Sequence, residues 1–262
     1  MWKNYIAVWC IITLSLLIFV VVSFCSAEEY LGAGIRKSTF AERLTRQPDT
    51  SEPADTTANE TSSLADFLDT VPTDTASHRI LIIGDSMLEG LNPRLAAYAK
   101  ANGHTLNSVI WYSSQSEYWG TCDTLAVFLR RFNPTYIFIS LGGNELFVRD
   151  IARKREKYVR NFLAQIGDIP YLWIGPPNWK PDTGINDLIA RCVKPGSFFL
   201  SNGMHFDRAK DGAHPTHASA ALWMDSVARW MPKHCSHPIR MDKPAADLKA
   251  RPDHVVVLQP KR

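Results

Sequence analysis

From Arg79 onward one unit recurs along the chain: a short apolar run, a turn residue, then a stretch whose apolar residues have helical spacing. Arg79–Ile83 is β-branched and stops at Gly84. Asn92–Asn102 follows as a helix, with Leu91, Leu95 and Tyr98 on one face and Gly103 closing it. Leu106–Tyr112 reads as a second strand, and Thr121–Phe132 as a helix that ends before Pro134. Tyr136–Leu141 is almost continuously apolar, as a strand covered on both faces must be. Ile151–Ile166 is helical, Tyr171–Ile174 is a strand stopped by Gly175-Pro176-Pro177, Ser197–Leu200 is a short fifth strand, and His217–Trp230 is the last helix. Alternation on this scale predicts an α/β domain with a parallel sheet of about five strands and helices on both faces. Ligands of such sheets bind beyond the carboxyl ends of the strands, where Ser86, Asn144 and Gly175 all fall.

The flanks differ in kind. Tyr5 to Phe24 has no charged residue, with Lys3 before it and Glu28 and Glu29 after it. About 20 apolar residues match the hydrocarbon thickness of a bilayer, while the apolar part of a signal peptide usually spans about 7–15. Residues 1–27 are therefore expected to anchor the chain in a membrane, with the domain outside the cytoplasm. Secretion after cleavage near Ala27 is the alternative. Residues 28–78 read as a mostly disordered tether. From Pro48 to Ser77 there is no Lys or Arg, while Asp49, Glu52, Asp55, Glu60, Asp66, Asp69 and Asp74 are acidic, and so polar a segment buries too little apolar surface to order itself. The domain is expected over 79–234. In the charged, Pro-rich tail at 235–262, the Val255–Leu258 run could add an edge strand, but disorder is the expectation. A net charge of +3 implies no nucleic-acid partner. The basic helix face between Arg149 and Arg160 is expected to be solvated. Cys122, Cys192 and Cys235 allow one disulfide, with Cys122–Cys192 preferred, or three reduced side chains. None has the CxxC spacing of a structural zinc site.

Three segments carry chemistry. In Gly84-Asp85-Ser86 a serine sits where a strand breaks into a helix, so its hydroxyl can project into a cleft; capping the helix is the alternative use. In Gly142-Gly143-Asn144, directly after another strand, two glycines admit close backbone approach and a side-chain amide can donate to an oxyanion. Asp211-Gly212-Ala213-His214 places a carboxylate three residues before an imidazole, so that one ring nitrogen can face Asp211 and the other Ser86. His205 and His217 lie nearby, but their spacing matches no usual metal-ligand set.

In order and flanking strands these segments resemble the signature blocks of the SGNH hydrolase superfamily, also called GDSL esterases. The likeness runs from Arg79 to Trp230. It implies a flavodoxin-like three-layer α/β/α sandwich and acyl-ester chemistry without metal or cofactor. It also implies Ser86 as nucleophile, His214 as base, Asp211 as its orienting partner and Asn144 as an oxyanion donor beside the Ser86 N–H. The family's second block supplies a glycine whose N–H completes the oxyanion hole. Here that loop reads Tyr112-Ser113-Ser114-Gln115-Ser116, and Ser114 is the positional match. Glu145 stands where the family usually has Asp. Asp85 and Gly143, together with the loop residues Trp119 and Trp179, are candidate substrate contacts, whereas Trp111 and Trp173 belong to strands and are expected in the core. The expected substrate is an acyl ester, an O-acetyl ester on an extracytoplasmic carbohydrate. The same residues could serve an O-acetyltransferase of envelope polysaccharide, and a non-catalytic glycan-binding module is a third class. The oligomeric state is not legible.

Overall fold

Ile80, Leu81, Ile82 and Ile83 are all fully buried, yet they feed two different apolar layers. Successive strand side chains point to opposite faces, so Ile80 and Ile82 join one cluster while Leu81 and Ile83 join the other. A central strand with two dry faces needs helices on both sides, and that requirement organises the molecule.

The computed structural model describes residues 71–260 together with β1 (Glu29–Tyr30) and β2 (Ala33–Gly34), which pair antiparallel. The chain divides into two units, Met1–Ser62 and Ser63–Arg262. The second unit holds the strands β3 (Arg79–Gly84), β4 (Thr105–Trp111), β5 (Tyr136–Ser140), β6 (Tyr171–Ile174), β7 (Phe198–Phe199) and β8 (His254–Leu258). They form one sheet in the order β7-β6-β5-β3-β4-β8, with every pairing parallel. Helices α1 (Leu88–Ala101) and α6 (His217–His234) cover one face. On the other lie α3 (Thr124–Phe132), α4 (Ile151–Ile166) and α5 (Ile185–Cys192), with the short α2 (Ser116–Gly120) against α4. The fold is the expected three-layer α/β/α sandwich.

Strand order reverses at β3, which lies between β4 and β5. That switch opens a crevice where the chain leaves β3 and β5 for opposite layers. The two strands approach closely at their ends: a Cβ on Gly84 would lie 2.1 Å from the Ser140 carbonyl oxygen, so only glycine fits there.

Several expectations are corrected. The sheet has six strands because the Val255–Leu258 segment pairs with β4 as a parallel edge strand instead of being disordered. The ordered domain thus extends beyond residue 234 and also begins before Arg79, since Asp74 pairs with the chain at Pro238–Arg240. Helix α1 starts at Leu88, ahead of Asn92, and α5 adds a helix to the expected set. Cys122, Cys192 and Cys235 are all free: Cys122 donates to the Tyr118 carbonyl, and Cys235 is buried against Tyr136. Trp111 and Trp173 are core residues. The N-terminal apolar run and most of the tether lie outside the described residues, among which no helix is long and apolar enough to cross a membrane.

Candidate active site

The loop Arg208–Pro215 is built by its own side chains. Asp211 Oδ1 accepts from the N–H groups of Ala213 (2.9 Å) and His214 (3.0 Å), an Asx turn that fixes the backbone just before α6. Thr216 then caps α6, its hydroxyl accepting from the Ser219 N–H. Arg208 fastens the loop to the segment after β6, donating to the carbonyls of Ala213 (2.8 Å), Pro177 (3.0 Å) and Asn178 (2.9 Å).

So held, His214 connects the other two groups. Its Nδ1 lies 2.7 Å from Asp211 Oδ2, and its Nε2 lies 2.7 Å from Ser86 Oγ. The two backbone donors, followed by the ring N–H, lower the Asp211 pKa to about 2, so the group is a carboxylate that can only accept. Nδ1 must therefore carry the proton, which leaves the Nε2 lone pair to accept from the Ser86 hydroxyl. The serine does not cap α1; its hydroxyl is committed to an imidazole 128 positions away. A hydroxyl, an imidazole and a carboxylate in this series make a nucleophile with a general base.

These groups open onto a cavity of about 640 Å³ between the start of α1, the end of β4 and the Ala209–His217 loop. Ser86 and Ser113 both line it, and neither main-chain N–H has an acceptor among the described residues. Ser114, the positional match for the missing glycine, does not serve. It is fully buried, its N–H closes a turn onto the Trp111 carbonyl at 3.1 Å, and its hydroxyl accepts from Trp119. Ser113 has the glycine-like backbone instead, with φ 55°, and it faces the cavity.

The Asn144 amide nitrogen lies 3.1 Å from the Ser114 carbonyl and 3.3 Å from Asp85 Oδ2, beside the serine loop but not on the cavity wall. Asp85 is a neighbour of the reacting groups and not a substrate contact. It is buried and accepts the Met87 N–H, and burial, only partly offset by that bond and by His214, pushes its pKa up to about 7. Gly143 is likewise buried. Trp119 is fully buried in the core, so it is not a sugar platform. Trp179 is half-buried and donates to the Gly143 carbonyl at 3.1 Å, bracing that loop from outside the cavity. The residues that do line the wall, Glu89, Tyr112, Ser113, Lys210 and His217, flank the motifs in sequence; each motif's neighbours were the available clue. Tyr112 donates its hydroxyl to Glu89 across the cleft mouth.

No protein-family model matches the chain, and neither does any curated protein. Solved structures do. An esterase, EstA from Pseudoalteromonas sp., is similar at 17% identity and a TM-score of 0.40 over 58% of this chain and 97% of its own. A two-domain esterase, CEX, active on acetylated mannans, is similar at 13% identity and a TM-score of 0.43 over 64% of this chain; the match spans about half (53%) of CEX.

Proposed function

We propose that the protein is a serine esterase that removes short acyl groups, acetyl above all, from an extracytoplasmic carbohydrate. The reading is carried by one observation: the Ser86 hydroxyl lies 2.7 Å from His214 Nε2 while Asp211 holds the other ring nitrogen. Ser86 Oγ attacks the ester carbonyl as His214 takes its proton. The resulting oxyanion is held by the N–H groups of Ser86 and Ser113, while the Asn144 amide, spent on the Ser114 carbonyl and Asp85, braces the loop beside them. Collapse breaks the ester bond, and His214 gives the proton to the departing sugar oxygen, which leaves as the alcohol. Water, losing one proton to His214, then attacks the acyl-enzyme; that proton passes to Ser86 Oγ as the bond to it breaks, and the carboxylic acid leaves and ionises in solution.

The cavity lining is mostly apolar, which suits an acyl group, and Glu89, Tyr112, Lys210, Thr216 and His217 set hydrogen-bonding groups around it for a hydroxylated leaving group. The apolar N-terminal run supports a tethered enzyme acting outside the cytoplasm. The test is acetate release from aryl acetates and from acetylated polysaccharides. Ser86→Ala is expected to lower kcat on the order of 10⁶-fold. Undiminished activity in that variant would sink the reading, and acetyl appearing on added glycan in place of free acetate would reassign the enzyme as a transferase.

A further inference from the structure

The two loops that meet at the oxyanion site come from different strands, so something must hold their relative position. Residues 112–116 leave β4 and residues 142–145 leave β5, and β3 separates the two strands. The loops are laced together by side chains. Gln115 Nε2 donates to the Asn144 carbonyl at 3.1 Å, and the Asn144 amide donates back to the Ser114 carbonyl. Beneath them Glu145 is fully buried, its carboxylate accepting from the Ser116 N–H at 3.0 Å and the Ser116 hydroxyl at 2.7 Å.

One residue of α4 closes this network. Arg155 places Nε 3.0 Å from Glu145 Oε1, as an ion pair off the hydrogen-bond axis. Its two terminal nitrogens lie 2.9 Å from Glu117 Oε2 and 2.9 Å from Gln115 Oε1. A single guanidinium thus reaches Gln115 in the loop after β4, Glu117 in the adjoining α2 and Glu145 in the loop after β5. Its side chain is only 15% exposed, so it departs from the solvated character of the helix face that carries it. Burial works to raise the Glu145 pKa, and the Ser116 bonds and Arg155 oppose it. Planar, forked and permanently charged, a guanidinium can serve three acceptors where an ammonium would serve fewer in that plane.

We infer that Arg155, acting through Glu145 and Gln115, is a positioning residue that holds the loop after β4, and so sets the separation of the Ser113 N–H from the Ser86 N–H and the fit of the oxyanion hole to the tetrahedral intermediate. The inference rests on the serine-esterase reading. An oxyanion forms only after attack, so the clamp acts on kcat and leaves ground-state binding alone. Misplacing a catalytic group by about 1 Å costs on the order of 10²-fold.

The test compares aryl acetate hydrolysis per reactive serine, titrated with a fluorophosphonate, in full-length variants. Arg155→Met is expected to lower kcat by about 10- to 100-fold with KM within about threefold, and Arg155→Lys to recover part of the loss. Because Arg155→Met strands a buried carboxylate, the double variant Glu145→Gln/Arg155→Met supplies a folded control. It removes the unpaired charge while the amide oxygen still accepts from Ser116, so its melting temperature is expected near wild type while kcat stays low. Wild-type kcat in the double variant, or a raised KM with unchanged kcat, overturns the inference while Ser86→Ala remains inactive. Should Ser86→Ala itself keep full activity, the esterase reading falls and the clamp falls with it.

Discussion

Asp211 and Asp85 show how one side-chain type takes opposite roles from local surroundings. Asp211, met by two backbone N–H groups and a ring N–H, stays ionised down to about pH 2, so activity lost on mild acidification comes from elsewhere in the site. Asp211→Asn is expected to lower kcat on the order of 10⁴-fold, because an amide can hold the imidazole in the wrong tautomer; steady-state kinetics with an intact circular-dichroism spectrum checks it. Asp85 is one residue from the nucleophile yet buried, and burial lifts its pKa to about 7. Between the unfolded value near 3.8 and about 7 the folded state holds the extra proton. Stability therefore falls as pH rises through that window and stays lowered above it. Asp85→Asn is expected to raise the melting temperature at pH 8 relative to wild type and to change it little at pH 4. Thermal melts at the two pH values decide this, and an equal shift at both would reject it. Ser86, Asn144, Asp211 and His214 were legible as residues. Which serine of the loop after β4 faces the cavity was not legible, because position in a motif does not reveal that Ser113 carries the left-handed backbone and Ser114 spends its N–H on a turn.

Pairing of whole elements is set by a few polar contacts within apolar surfaces. Helices α1 and α6 pack through an apolar layer that includes Leu91, Leu95, Trp223 and Val227, and one polar knot fixes their registry. Arg94 grips Asp225 through two nitrogens, at 2.6 and 3.2 Å, and the Tyr98 hydroxyl adds a bond of 2.9 Å. Burial pushes the Asp225 pKa up, but the Arg94 and Tyr98 bonds outweigh it, and the net shift is downward. The knot's contribution is therefore complete above the ordinary carboxylate pKa and is lost as pH falls below it. Arg94→Met leaves Asp225 without its main partner and is expected to cost about 3 kcal/mol at pH 7, with a smaller cost at pH 3; urea unfolding at both values measures it. Nothing in the local spacing of either helix announces this pair, since 131 positions separate its members. The strands were legible for the opposite reason. A strand buried on both faces must be apolar at every position, and β3, β5 and β6 are.

At the scale of the molecule, the last strand ties the C-terminus to the site. β8 lies against β4, and at its end the Leu258 carbonyl accepts from the Tyr112 N–H and the next carbonyl, of Gln259, from the Trp111 indole. Both bonds hold the start of the loop that carries Ser113. Deleting residues 254–262 is expected to lower the melting temperature and also to reduce kcat by about 10-fold, in keeping with the sensitivity of catalysis to small displacements. Unchanged kcat in the truncated, folded protein would separate the edge strand from the site. Local features of the chain were enough to predict the α/β sandwich and to bring out Ser86, Asp211 and His214 as candidates at the strand ends, because alternation, turn residues and short motifs are local and survive reading one residue at a time. The folded molecule adds that a C-terminal run completes the sheet, that Ser113 and not Ser114 lines the cavity, that Trp119 is core, and that one arginine of a basic helix turns inward beneath the two loops. Each of these depends on which neighbours a residue meets across the sheet, and that is settled by burial and hydrogen-bond demand among segments distant in sequence.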